Sequence, residues 1–208
     1  MSHVRAQKVQ VTELPGAPIP SISTVELTAD QAPLLQRFFD KNPAYFLATS
    51  GEPAGPGEGL EEITSALPSG WSFTKKWVIG YVDHEEELVA MANVITDLLA
   101  VSVFHVGTFI VATERHGNGD ARALYGGLEG WALRKGASWM RLGVVQGNER
   151  AERFWKSRGY LPVRARPGIQ MGARVVTVQN MVKPPRGQNL ESYFSLVARD
   201  RPEPSAEF

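Results

Sequence analysis

The stretch that most constrains this chain runs from Val111 to Ala132, VATERHGNGDARALYGGLEGWA. Ahead of it, Phe104 to Val111 (FHVGTFIV) is rich in β-branched and aromatic residues, which suit a pleated, partly buried surface and predict an interior strand. The chain then turns polar at Thr113 to His116 and passes Gly117, Asn118, Gly119 and Asp120. From there apolar residues recur at Ala121, Leu124, Leu128, Trp131 and Ala132, one face of an amphipathic helix. A strand that enters a helix through such a turn leaves backbone N–H groups unpaired, with the positive end of the helix dipole behind them. The turn can hold phosphate oxygens, and glycines without a Cβ allow close approach and positive φ. A bare Gly-x-Gly equally describes a tight connection. A Rossmann fingerprint fails because Arg122 stands where a third Gly should be, and a P-loop fails for want of Gly-Lys-Ser/Thr.

The rest of the chain alternates strands and helices. Met1 to Pro20 is polar and ends in LPGAPIP, which predicts an arm or flexible leader, although Val9, Val11 and Leu14 alternate as an edge strand would. Ser23 to Leu27 reads as a short strand and Thr28 as an N-cap for a helix to Asp40, beginning nearer Ala32 because of Pro33. Asn42 to Phe46 reads as a turn. A Gly- and Pro-rich loop follows, with one short helix over 60–67, and carries Glu52, Glu58, Glu61 and Glu62 without a basic residue. That is either a solvated surface or a lip that attracts a cationic amine. Lys76 to Val82 and Leu88 to Val94 predict an antiparallel pair. Ser138 to Val145 predicts another strand, Glu149 to Arg158 a short helix capped by Gly159, and Tyr160 to Arg166 with Arg174 to Met181 a final pair joined by PGIQMG.

Two segments carry a family resemblance. Val111, four residues, His116, two residues, Gly119, one residue and Ala121 resemble the acyl-CoA signature of the GNAT superfamily of N-acyltransferases, in which His116 would usually be Arg or Gln. In NERAERFWKSRGY, Asn148, Ala151, Phe154, Gly159 and Tyr160 fall where that family has its second conserved segment. The resemblance covers roughly residues 24–183. It implies a mixed α/β (α+β) fold with a mostly antiparallel central sheet, splayed central strands and flanking helices. It further implies that the cofactor's pantetheine arm enters between those strands. Val111, Ala112, His116, Gly117, Asn118, Gly119, Asp120, Ala121, Arg122, Asn148, Phe154 and Trp155 would contact acetyl-CoA, with backbone amides from about Gly117 to Arg122 on the pyrophosphate. A neutral imidazole at His116 donates one hydrogen bond but brings no fixed positive charge.

Direct acyl transfer from thioester to amine needs a neutral amine, a stabilised oxyanion and a proton for the thiolate, with no covalent intermediate. The family often protonates the thiolate with a Tyr where this chain has Trp155, whose indole N–H is no useful acid. Water or Tyr160 would serve instead. The residue where the family often places a carboxylate base is His105, which is either that base or a half-buried, hydrogen-bonded histidine. Strand parity puts it on one face with Gly107, Phe109 and Val111. A backbone N–H near Val111 or Ala112 would stabilise the oxyanion.

With 208 residues, 43% apolar and 21% charged, one domain accounts for the chain: an arm at 1–20, an acyltransferase domain at 21–183 and an extension at 184–208. Lys plus Arg and Asp plus Glu both number 22, so net charge calls for neither nucleic acid nor an anionic membrane. No Cys is present, which excludes disulfides, thiol nucleophiles and thiolate metal sites. No apolar segment approaches the roughly 20 residues that span a bilayer, and the N-terminus lacks the apolar core of a secretory signal. The expectation is a cytoplasmic, metal-free N-acetyltransferase acting on a small-molecule or peptide amine, with a homodimer through an exposed last strand. The rivals are an acyl-CoA-binding regulatory module and a purely structural α/β domain.

Overall fold

The computed structural model describes residues 13–202. A seven-stranded sheet runs β1(Ser23–Glu26), β2(Lys75–Val82), β3(Leu88–Thr96), β4(Val103–Val111), β5(Trp139–Val145), β7(Arg174–Lys183), β6(Leu161–Met171) from edge to edge. All neighbours are antiparallel except β4 and β5. That parallel pair lasts only from Val103↔Trp139 to Val106↔Leu142, so the C-terminal halves of the two strands part. The expected mixed sheet with a splayed centre is what forms.

Helices α1(Ala32–Lys41), α2(Ala44–Thr49) and α3(Glu58–Thr64) cover one face, α4(Asp120–Arg134) and α5(Glu149–Ser157) the other. Of the predicted apolar stripe of α4, Leu124, Leu128, Trp131 and Ala132 are at most 1% exposed, each large side chain contributing about 2 kcal/mol of burial, and Ala121 is half-buried. Trp131 stands edge-on to Trp77 of β2. Pro33 falls in the first turn of α1, where its missing N–H costs nothing.

Four expectations need correction. Asn42 to Phe46 is not only a turn, because α2 starts at Ala44. PGIQM continues β6 through two register shifts, and the hairpin turns at Gly172 and Ala173. The last strand, β7, lies inside the sheet; among the described residues the edges are β1 and β6, so a dimer through strand pairing would have to use one of those. Of the presumed leader, residues 13–20 pack on α4: Leu14, Ala17 and Ile19 join its core and Trp131 Nε1 donates to Glu13 O at 2.8 Å. A Cβ on Gly127 would come within 2.7 Å of Gly16 O, which explains a glycine inside α4. Val9 and Val11 lie outside the described residues.

The segment after Pro184 forms α6(Leu190–Leu196) and a 3-10 turn over Ala198–Asp200. Tyr193, Phe194 and Val197 bury themselves against Val103, Trp139 and Val182, fastening this segment across β4, β5 and β7.

One irregularity decides which side chains meet. Asn93 pairs with Thr108 but Val94 with Val106, which leaves Gly107 as the extra residue of a bulge in β4. Alternation is reset there. Phe104, Val106, Phe109 and Val111 face the α4 side, whereas Ile110 and Ala112 face α1 and α2. His105 therefore does not share a face with Phe109 and Val111, contrary to simple parity.

Candidate active site

The glycine turn has the predicted form. Gly117 and Gly119 both sit at φ +88, a conformation costly for other residues, and a Cβ on either would meet nothing within 4 Å. Gly119 caps α4. His116 N–H donates to Thr113 O and Ala123 N–H to Gly119 O. Between them, no partner for the backbone N–H groups of 117–122 is found among the described residues. Asp120 would repel phosphate here, but its carboxylate accepts from Arg115 Nη1 at 3.0 Å. Ala121 and the exposed Arg122 line the same cavity; the exposed Asn118 lies on the turn beside it.

His116 turns inward. Its Nε2–H donates to Val111 O at 2.8 Å, so the ring braces the strand end rather than offering a charge. Burial and the nearby Arg150 lower its pKa, which keeps it neutral at physiological pH. Beside Arg115, which is paired with Asp120, the cations lining this cavity are Arg150 and Arg122, and Arg150 had no signal in the motif spacing.

Behind the turn, a cavity of about 390 Å³ runs along β4 to Phe109, Ala151, Phe154 and Trp155. Phe109 stacks on Phe154 at 6.2 Å and tilts against Trp155 at 6.0 Å. Asn148 caps α5 by accepting from Ala151 N–H at 3.2 Å. Ala112 N–H donates to Val89 O, so its amide is spent on β3. By the alternation of an antiparallel pair, the N–H groups of Phe109 and Val111 face the other way, into the gap that β5 leaves.

A second cavity, about 440 Å³, opens beyond the gap and is lined by Tyr45, Trp71, His105, Arg141, Arg166, Met171, Asn180 and Arg199 among others. His105 is thus in the site, but its Nδ1 accepts from Arg141 Nη1 at 3.1 Å. Burial and the Arg141 charge push its pKa down to about 3, so it is a neutral Nε2–H donor and no proton acceptor at neutral pH. Arg141 is only 4% exposed and pairs with fully buried Asp200 at 2.7 Å. Asp200 also accepts from Tyr193, Asn180 and Arg166. Burial alone would raise the Asp200 pKa, but these donors hold it at about 2. Tyr160 lines neither cavity. Its hydroxyl meets that of Tyr125 at 2.8 Å in the core, and burial raises both far above the ordinary phenol range.

Four residues with no motif signal meet beside the bulge. Asn93 Nδ2 donates to Glu62 Oε1 at 2.8 Å, and Thr108 hydrogen-bonds to the Glu62 side chain. Burial raises the Glu62 pKa. Asn93 Oδ1, on a residue 7% exposed, has no partner among the described residues. Tyr45 lies against Glu62 and Thr108, its pKa raised to about 12 by burial and by Glu62. Of the acidic loop, Glu62 is therefore half-buried and turned towards β3 and β4.

With this geometry in view, the relatives are informative. A family model described as acetyltransferase (GNAT) family matches residues 58–160. The chain carries a GNAT acetyltransferase domain. Its fold is shared with an acetyltransferase from Thermus thermophilus (18% identity, TM-score 0.61, 79% of this chain and 97% of that one). Spermidine N-acetyltransferase from Vibrio cholerae, in complex with CoA and spermine, superposes similarly (15%, 0.61, 80% and 96%). So does a GNAT-family acetyltransferase from Streptococcus pneumoniae (14%, 0.54, 78% and 99%). A search of curated protein sequences returns no match. The GNAT segment ends before Arg166, Asn180, Arg199 and Asp200, so much of the second cavity is built outside it.

Proposed function

We propose that this protein is a cytoplasmic N-acetyltransferase that moves an acetyl group from acetyl-CoA directly to a primary amine. The observation that carries the reading is that the two cavities share a wall: Tyr45, Phe109, Asn148, Ala151 and Trp155 line both. A donor held on one side can meet an acceptor held on the other.

The residues present suit acetyl-CoA. Unpaired amides at 117–122, the open space at Gly117 and Gly119, and the Arg122 and Arg150 charges fit a pyrophosphate. Ala121, Ala151, Phe154 and Trp155 offer an apolar wall to the pantetheine arm, and the free N–H of Phe109 or Val111 a donor to the thioester oxygen. When bound, acetyl-CoA supplies the activated acyl group.

The amine nitrogen bonds to the acyl carbon, the carbon–sulfur bond breaks, and one proton passes from nitrogen to sulfur. Glu62, its pKa raised, is the sink for the amine proton, relayed by Tyr45 and water because Glu62 itself lies behind Tyr45. Tyr45, a protonated phenol at neutral pH, gives its proton to the departing thiolate and regains one from Glu62, so that both groups end as they began. Asn93 Oδ1 gives an incoming N–H an acceptor that is otherwise unmet. His105 and Tyr160 take neither proton-transfer role, for the reasons of bonding and burial given above.

Thiol release from acetyl-CoA should depend on added amine across a panel of amino acids, polyamines, arylalkylamines and peptides. Coenzyme A should bind in the micromolar range by calorimetry. Binding without amine-dependent release would point to a regulatory module, and no binding by folded protein would leave the turn purely structural.

A further inference from the structure

Resting on the acyltransfer reading, the second cavity bears on which amine enters. Three arginines, Arg141, Arg166 and Arg199, line it, and among the described residues no carboxylate does. Among the described residues their counter-charge is Asp200, 0% exposed behind the wall and already bonded to Arg141 Nε, Arg141 Nη2 and Arg166 Nη2. One carboxylate against three guanidinium groups leaves this end of the cavity positive among the described residues, with Glu62 at the other end, behind Tyr45.

Arg199 is where that surplus is presented. Its guanidinium lies 4.4 Å over the Trp71 ring, and both residues are at the cavity surface. Its backbone carbonyl accepts from Arg164 and Arg166, so the residue is anchored while its side chain pairs with no carboxylate among the described residues. Burial and its arginine neighbours together disfavour its charge. A planar, pre-oriented guanidinium on an aromatic face is well suited to carboxylate oxygens and poorly suited to a polycation. The uncharged side of the same cavity, Tyr45 and Phe109, is where it opens towards the donor.

We propose that the acceptor is a small zwitterion, an amino acid or short peptide, whose amine points to Tyr45 and whose carboxylate is bound by Arg199, with Arg166 and Arg141 behind it. A cavity of about 440 Å³ has room for such a molecule. The surplus charge is placed to repel diamines and polyamines, the opposite of what the acidic loop suggested from sequence.

The test is thiol release with matched acceptors: a set of free amino acids and dipeptides, their carboxamides, and spermidine. The acids should exceed their carboxamides about tenfold or more in kcat/KM, chiefly through KM, the scale of one lost charged hydrogen bond. Arg199→Ala and Arg199→Glu should collapse that ratio, Glu further than Ala, and Arg199→Lys should restore part of it. A melting curve for each variant separates this from misfolding, since Arg199 is exposed. Carboxamides or spermidine used as well as the acids, or an unchanged ratio in Arg199→Glu, would overturn the zwitterion while leaving acetyl transfer intact. No release with any acceptor, despite coenzyme A binding, would overturn both.

Discussion

The donor side of the β4–β5 gap comes chiefly from two runs of chain, residues 103–134 and 148–155, and works largely through backbone amides. The acceptor side draws Tyr45, Glu62, Asn93, Arg141 and Asp200 from five separate segments and works through side chains. Local geometry makes the first almost inevitable once the glycine turn exists. The second depends on tertiary packing holding charged groups together, including a segment that lies beyond the GNAT match. Damage to the two sides should therefore look different: the acceptor side should lose stability or rate, the donor side affinity.

The largest expected effect is on the buried ion network. Asp200→Ala leaves Arg141 without a counter-charge and orphans the Tyr193 hydroxyl, and should cost about 3–5 kcal/mol, or on the order of 10 °C in melting temperature. The same network makes the acceptor side acid-sensitive. His105 and Asp200 both have folded pKa values below their ordinary ones, about 3 against 6.5 and about 2 against 3.8. Each contribution is present above the ordinary pKa and lost as pH falls towards the folded one. Stability should decline from about pH 6.5 with a slope of up to about 1.4 kcal/mol per pH unit from His105, and Asp200 should add to it below about pH 4. His105→Gln should flatten the upper part of that decline in denaturant titrations run from pH 7 to pH 4; an unaltered slope would show that His105 is not what titrates.

Next comes the proton path. Glu62→Gln keeps the hydrogen bond to Asn93 in shape but removes the sink, and should lower kcat about 10²-fold with coenzyme A affinity nearly unchanged. Because the Glu62 pKa is raised, the native enzyme's rate should fall on the acid side at a pH above the ordinary carboxylate range, and that limb should vanish in the variant. A limb that persists in Glu62→Gln would move the base elsewhere in the cavity.

The contrast also explains what could be read without a structure. The strand, the glycine turn and the helix face over residues 104–132 follow from spacing, because each depends on neighbours within a few positions. Asn148, Phe154 and Trp155 were singled out by the family resemblance, and all three line the first cavity. The bulge at Gly107 was not legible: one extra residue flips parity, and its cause is the pairing of Thr108 with Asn93, fifteen positions away. Tyr45 was hidden in what read as a turn, and Glu62 among carboxylates that looked solvated. Arg141 and Asp200 gave no signal at all, since a buried pair 59 residues apart leaves no periodicity. His105 and Tyr160 were the right chemical types in the wrong surroundings, one bonded to a guanidinium and the other to a second phenol.

The smallest effect tests whether the donor side is as backbone-driven as it looks. His116 spends its donor on Val111 O and Arg115 is paired with Asp120, so the cations left for a ligand near the turn are Arg122 and Arg150. If amides do most of the holding, Arg150→Ala should weaken coenzyme A only about tenfold, and the loss should shrink as salt screens the arginine in the native protein. Dephospho-coenzyme A then sharpens the result. Were Arg150 to reach the ribose phosphate rather than the pyrophosphate, native protein and Arg150→Ala would bind that analogue equally well; an undiminished gap would place Arg150 on the pyrophosphate, beside the amides of α4. A loss of a thousandfold instead would mean that side-chain charge, not the turn, dominates the donor side, and the distinction between the two halves of the site would fail.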